Sequence, residues 1–345
     1  MDYLRYPSSQ TIISKQEPFS DALDLLEFFC SKDYLNELIV NKHKLKSSEA
    51  NKRIKHIIPH VKTAINFIEQ TLEGPKDISF LPAYYAILNL MKIYVLLGPR
   101  HNELPSHRWH GASYDVHSKD SHNVLTEKIE IRQRGAIPLF YETITGKKLP
   151  SKNIVLTMRE IFPYVTGVGH EYLLATGMRS NIYALKFDTF PRGGIKPRVL
   201  VRHHSDRLTK RDIKLLKTFR VHPSEKNLFL GDVMKNELNI VEDTRKQLNT
   251  FLLYNLSDKT AYTPICSKQL MLPQELPIAL LFFYMSMVVR YKPEFLHNIM
   301  DSKYWPFLAM ARKHSLYDFI MLFWSFMHQE NIIIKSDSQY IYPFV

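Results

Sequence analysis

Arginine and histidine crowd one polar stretch of this chain, where Arg100, His101, His107, His110, His117 and His122 follow directly on a long apolar run. A guanidinium offers a fixed fork of donors matched to phosphate oxygens and stays charged. An imidazole titrates near neutral pH and can take or give a proton. Together these residue types suit phosphodiester cleavage without a metal: deprotonation of a 2′-hydroxyl, stabilisation of the pentavalent phosphorus, protonation of the leaving 5′-oxygen. His107, His110 and His117 with Asp115 or Asp120 make a second conceivable set, a metal site. Their spacing matches no closed zinc pattern, and no His-Glu-x-x-His helix occurs, so no metal and no cofactor is expected. Paired carboxylates, a phosphate-cradling glycine loop and a Gly-x-Ser-x-Gly elbow are missing as well.

The elements that must position this stretch are mostly helical. Residues 20–72 carry apolar residues at three and four, with Ile54, Ile57, Ile58, Val61, Ile65 and Ile68 forming one stripe. Gly74-Pro75 closes that region. Pro82 stands in the first turn of the next helix, and Gly98-Pro99 stops it after Leu97. This helix is apolar on nearly all sides and belongs at the centre of a bundle. Residues 127–133 alternate as a short strand, and Ile137–Thr145 reads as a helix ended by Gly146. Strand-like runs follow at 183–187, 199–201, 228–230 and 251–254, then helices at 276–291, 304–314 and 316–330, with a break at Pro293. The expected fold is mainly α: a helical bundle with a small α+β insert and further C-terminal helices. The expected domains are 1–180, helical; 181–262, the basic insert; and 263–345, helices packing back on the bundle.

The chain has 345 residues, 45% hydrophobic, which is enough to bury a substantial core and excludes a disordered or collagen-like chain. Its two cysteines, Cys30 and Cys266, cannot build a disulfide framework and suit a reducing cytosol. Residues 1–19 hold no continuous apolar segment of the secretory kind. The apolar run 80–97 is interrupted by Asn89 and Lys92, and 276–289 is short for a bilayer, so no membrane is expected and the location is read as cytoplasmic.

With 46 Lys and Arg against 34 Asp and Glu, the net charge is +12, which favours an anionic partner, nucleic acid first. The densest basic segment holds Arg192, Lys196, Arg198, Arg202, Arg207, Lys210, Arg211, Lys214, Lys217 and Arg220, opposed by Asp206 and Asp212. It reads as a nucleic-acid-binding surface that tracks backbone phosphates without reading bases. A solvated basic face is the plain alternative. The segment from Lys42 to Lys62 is basic too, with Glu49 its only carboxylate.

Several of these pieces resemble the YaaC-like family of bacteria: Tyr84-Tyr85 at the head of the apolar helix, His110-Gly111, Lys128 to Gly135, Leu139-Phe140-Tyr141-Glu142, and the tail from Met287 to Pro293. The Tyr-Tyr helix and the histidine loop are also similar to the HEPN superfamily of helical bundles, many of which are RNA endonucleases needing no metal. That resemblance implies Arg100 as the phosphate-binding residue and His107 or His110 as the proton carrier. Arg100 and His107 enclose six residues, as that superfamily's signature does. It further implies RNA as partner, a homodimer with a composite site, a regulatory partner protein, and a role in phage defence or a toxin-like system. The competing reading is a noncatalytic nucleic-acid or protein binding module. For Arg100 the plain alternative is a pairing with Glu103, and for His110-Gly111 a loop held by hydrogen bonds before a glycine turn.

Overall fold

A computed structural model describes residues 10–15, 18–106, 110–115, 123–150, 152–165, 169–177 and 272–336, together with strands between 182 and 264; of the strands at 10–15, 182–264 and 331–336 only the backbone is described. The chain is mainly helical. Helices α1 (Pro18–Glu27), α2 (Lys32–Lys42) and α3 (Ser47–Glu73) fill the region that the sequence reads as one helical stretch. Ser31 separates α1 from α2, and its hydroxyl accepts from the Tyr34 amide as an N-cap. On α3 the apolar period is realised: Ile54, Ile57, Val61, Ala64 and Ile68 are buried, while Lys52, Lys55, His56 and Lys62 face solvent.

Helix α4 (Phe80–Leu97) is the centre. Thirteen of its eighteen residues are buried, because its apolar residues leave no polar face to turn outward. Helices α3, α5 (Ala136–Thr145), α8 (Glu275–Tyr291) and α10 (Tyr304–His328) all pack on it. Tyr94 is the densest node. Its ring stacks on Phe326 at 4.0 Å and meets Phe140 edge-on at 5.0 Å and Phe323 at 5.8 Å, and aromatic pairs of this kind add about 1 kcal/mol each beyond area burial. At the other end, Phe80 meets Phe282 at 5.8 Å and Tyr84 meets Phe283 at 5.5 Å.

Helices α6 (Met158–Ile161), α7 (Gly169–Thr176) and α9 (Pro293–Met300) are short. Where the sequence suggests two helices after 304, α10 runs unbroken to His328. Residues 312–315 are polar or charged there, yet none is glycine or proline, and polarity alone does not stop a helix.

A three-stranded antiparallel sheet, β2 (Ala112–Tyr114), β3 (Lys128–Ile131) and β4 (Ile154–Thr157), packs beside the helices. The expected strand at 127–133 is β3, with Ile129 and Ile131 buried. The 181–262 segment contributes strands β5 to β10, between Ile182 and Pro264, in a six-stranded antiparallel sheet of order β7-β8-β6-β5-β10-β9. The four expected strand runs fall on β5, β6, β8 and β9. The parallel pair of β1 (Gln10–Lys15) and β11 (Asn331–Ser336), which joins the two ends of the chain, is not foreshadowed by any pattern in the sequence described above.

The N-terminal helices are tied to α10 by polar contacts. The Tyr34 hydroxyl bonds His328 Nε2 at 2.8 Å, Lys42 pairs with Glu330, and His43 Nε2 donates to the Met327 carbonyl at 3.0 Å. Burial pushes the His43 imidazole down from 6.5 to about 4, against the opposing pull of that carbonyl. The unfolded chain therefore takes up a proton near pH 6.5 that the folded one refuses until about pH 4. Stability is lost as pH falls through that window, by roughly 3 kcal/mol at most from this group. Urea unfolding at a series of pH values should show the decline, and His43→Asn should make it shallower. An unchanged decline in that variant would remove His43 as its source.

Candidate functional site

Arg100 lies just past the C-terminus of α4, held by carboxylates. Its Nε donates to Glu103 Oε1 at 2.5 Å, its Nη2 to Glu103 Oε2, and its Nη1 to Glu142 Oε2 on α5 at 2.6 Å. The two glutamates raise the guanidinium pKa further above its ordinary range. Glu103 is the pairing partner that the sequence suggests as the plain alternative; Glu142 comes from 42 residues away. Next to this pair a second one closes the helix end: Arg53 Nε donates to Glu49 at 3.0 Å and its Nη1 to the Leu96 carbonyl at 2.8 Å, one of the four carbonyls that α4 leaves unbonded. His101 Nε2 stands 3.4 Å from the same Glu49. Gly98 is needed here, because a Cβ would sit 2.4 Å from Thr143 Oγ1.

His110 lies elsewhere. Its ring is half-buried against Tyr84 at 5.5 Å and Phe283 at 6.3 Å. Tyr84 belongs to the second turn of α4, whereas Arg100 follows the last turn of that helix. Arg100 and His110 share no hydrogen bond or ring contact among the described residues; both are tied to α5, Arg100 through Glu142 and the His110 carbonyl through the Ile137 amide. His107 and the residues Arg192, Arg202, Arg207, Lys210, Arg211, Lys214, Lys217 and Arg220 lie outside the described residues. Lys196 and Arg198 are on β6 (Ile195–Leu200), paired in register with Asp188 and Lys186 of β5 (Ile182–Thr189).

The backbone at His110-Gly111 is a clamp. The His110 carbonyl accepts from the Ile137 amide at 3.0 Å, satisfying an N–H that the first turn of α5 leaves open, and the Gly111 carbonyl accepts from the Arg132 amide at 2.9 Å. Gly111 has φ +86°, and a Cβ there would meet Pro138 Cδ at 2.6 Å. Glycine is required by conformation and by space.

The guanidinium that faces the Tyr84 and His110 region is Arg290, at the end of α8. It donates through Nη1 to the Tyr85 hydroxyl at 3.3 Å and through Nε to the Ser286 carbonyl at 3.2 Å, and it lies 5.9 Å from the Tyr85 ring centroid. Tyr85 is backed on its other side by Phe67 of α3, stacked at 5.3 Å. Burial first, then the charges of Arg290 and Lys92, holds the His110 imidazole below its ordinary range. The neutral ring is favoured over the imidazolium there. Lys92 is half-buried on α4, and burial lowers its own pKa. It also presses on His60, whose Nδ1 pairs with Asn89 Oδ1 at 2.8 Å; burial is the main cause of the lowered His60 pKa. His60, Lys92, His110 and Arg290 are thus linked electrostatically across α3, α4 and α8. Neither Lys92 nor Arg290 pairs with a carboxylate among the described residues. The Tyr84 hydroxyl and His110 Nδ1 are buried and have no hydrogen-bond partner among the described residues.

Sequence reading passed over Lys92, treated as an interruption of an apolar run, and Arg290, seen only inside a family motif. A lone lysine in an otherwise apolar helix was the signal available. A third cluster was missed entirely: Tyr114 donates to buried Glu127, with Lys292 at 3.8 Å from that carboxylate and 4.8 Å from the Tyr114 ring. Burial raises Glu127 above its ordinary range, more than Tyr114 and Lys292 lower it. Among the described residues no group of three or more His, Cys, Asp or Glu is placed to hold a metal ion.

A double-mutant cycle of Arg100→Ala and Glu142→Gln, followed by thermal unfolding, should give a coupling of about 1 kcal/mol, since the pair is well aligned but the arginine is a third exposed. Strictly additive single variants would mean that the contact between α5 and the end of α4 contributes nothing.

Comparison with known proteins gives one match: the model of the family described as YaaC-like Protein aligns with residues 20–327. No curated protein and no solved structure matches the chain. That match takes in α2 to α9, strands β2 to β10 and all of α10 but its last residue, and with them both the carboxylate-bound arginine and the His110 cluster. The chain belongs to the YaaC-like family.

Proposed function

We propose that this protein is RNA-directed and holds RNA by its backbone phosphates along a cationic track on α3, α4 and α8. The observation that carries the reading is a run of basic groups with no carboxylate among them. Between Ala50 and Ile68 α3 has no acidic residue, and Lys52, Lys55, His56 and Lys62 are exposed on it. Lys92, His110 and Arg290 continue the run onto the neighbouring helices. Each phosphate engaged along such a track releases counterions, so binding is strong at low salt and indifferent to sequence. The basic segment at Arg192 to Arg220 would add further phosphate contacts of the same kind.

In its finer form this reading is a HEPN-like bundle acting as a metal-independent endoribonuclease of phage defence or a toxin-like system, as a homodimer. His110 then takes the 2′-hydroxyl proton as that oxygen bonds to phosphorus and returns it to the 5′-oxygen as the P–O5′ bond breaks, leaving a 2′,3′-cyclic phosphate and a 5′-hydroxyl, and Arg290 and Lys92 hold the phosphate. Arg100 is given a positioning role instead, because Glu103 and Glu142 occupy its fork. The same occupancy favours the second reading, a noncatalytic binding module that shares the track and lacks turnover.

Labelled single-stranded RNA incubated with the protein in EDTA separates the two. Retardation at low salt is expected for the wild type. Replacing Lys52, Lys55 and Lys62 by Gln should reduce the log-log salt slope by about 2, at roughly 0.7 for each phosphate no longer neutralised. EDTA-resistant cleavage that survives Arg100→Ala and disappears in His110→Ala supports the nuclease; intact RNA in all three supports the binding module. No retardation by the wild type at any salt concentration ends the RNA-directed reading.

A further inference from the structure

Helix α4 reaches solvent along one narrow strip. Between Ala83 and Leu96 every residue is buried except Tyr85 and Lys92, which stand two turns apart and so share a face. From α3, Phe67 stacks on Tyr85 at 5.3 Å with the two ring planes 24° apart, and from α8 Arg290 reaches the same tyrosine. Arg290 is set there as a plate. Its Nε donates to the Ser286 carbonyl at 3.2 Å, its Nη1 to the Tyr85 hydroxyl at 3.3 Å and its Nη2 to Met287 Sδ at 3.1 Å, so every nitrogen is held by an N–H lying in the guanidinium plane. The flat faces are left for stacking. Its Cζ lies 5.9 Å from the Tyr85 ring centroid and 5.2 Å from that of Tyr291, both within cation–π range. Phe67, Tyr85, Arg290 and Tyr291 thus form one ladder of flat groups running from α3 across α4 to α8. Tyr291 is its outer rung, 55% exposed and the only exposed tyrosine among the described residues. We infer that Tyr291, backed by Arg290, is a stacking platform for an unpaired base of the bound RNA.

The chemistry selects that partner. A nucleobase is planar, so it extends the ladder by one rung, and it arrives on an anionic backbone that suits a chain of net charge +12. A basic peptide would be repelled by Arg290 and by the lysines of α3, and an aliphatic group would gain nothing from a ring already laid against a guanidinium. Duplex RNA keeps its base faces inside its own stack, which restricts the platform to single strands. Any of the four bases has a face to offer, so the contact leaves binding indifferent to sequence. Locking Arg290 beforehand also matters. The plate behind Tyr291 is in place before RNA arrives, and little side-chain entropy is lost in forming it. The platform rests on the RNA-directed reading and adds to it the strandedness of the RNA that is held.

Fluorescence anisotropy of the full chain at low salt tests it with three labelled ligands of equal length: a mixed-sequence single-stranded RNA, the same strand fully paired, and a strand of abasic sites. Tyr291→Ala should bind the single strand about tenfold more weakly than wild type. Its affinity for the duplex and for the abasic strand should stay the same, because neither presents a free base. The salt slope for the single strand should not change either, since no phosphate contact is lost. Tyr291→Phe keeps the ring and should bind as wild type does. The residue is exposed, so both variants should melt at the wild-type temperature. Single-strand affinity unaltered in Tyr291→Ala, or lowered equally for all three ligands, overturns the platform and leaves the RNA-directed reading standing. A loss in Tyr291→Phe as large as in Tyr291→Ala traces the effect to the hydroxyl and overturns stacking as well. Wild-type protein that binds none of the three ends the RNA-directed reading and the platform with it.

Discussion

The architecture depends on the burial of α4 from every side. A helix with no polar face cannot sit at a surface, so α3, α5, α8 and α10 are arranged as its cover, and the order of the chain follows from supplying that cover from both flanking regions. Full burial has a second effect. Each polar group on α4 must find a partner inside the protein or remain unsatisfied. Asn89 does so, bonding His60 and the Tyr85 carbonyl, and the Leu96 carbonyl is met by Arg53. By length and composition α4 would also span a bilayer, but most of that stretch is buried inside the protein, where its apolar surface is already covered.

The two ends of this helix are electrostatically opposite. At the C-terminal end Glu49, Glu103 and Glu142 neutralise Arg53 and Arg100, so charge there locks α3, α4 and α5 together. Toward the middle and the N-terminal end the cations stand without acids among the described residues. Arginine type alone therefore says little about role: Arg100 and Arg290 are both half-buried, and the carboxylates within reach make one a latch and leave the other able to take an anion.

How far the sequence revealed this depends on the range of the interaction concerned. The helix stripe on α3, the apolar run of α4, Gly98-Pro99 and the turn at Gly146 are local signals, and the structure follows them. Glu103 three residues from Arg100 was legible for the same reason. Glu142, Lys92 and Arg290 were not, because their meeting with the histidine loop or the helix end is decided by how helices distant in sequence cross. The His110-Gly111 pair drew attention as a motif, yet its glycine answers to the close approach of Pro138, a contact that only the packed fold defines. The β1–β11 pairing joins segments more than 300 residues apart and leaves no periodic trace in either.

Lys92 poses the sharpest energetic question. Burying half of an ammonium lowers its pKa and costs stability, and an apolar residue would fit an otherwise apolar helix better. A position that costs stability in the empty protein is understandable where something else recovers that cost when it binds. The same reasoning covers the Tyr84 hydroxyl, since phenylalanine would fill the space without an orphaned oxygen. Two residues about two turns apart on the core helix thus depart from what packing alone prefers, and both departures bear on the same imidazole.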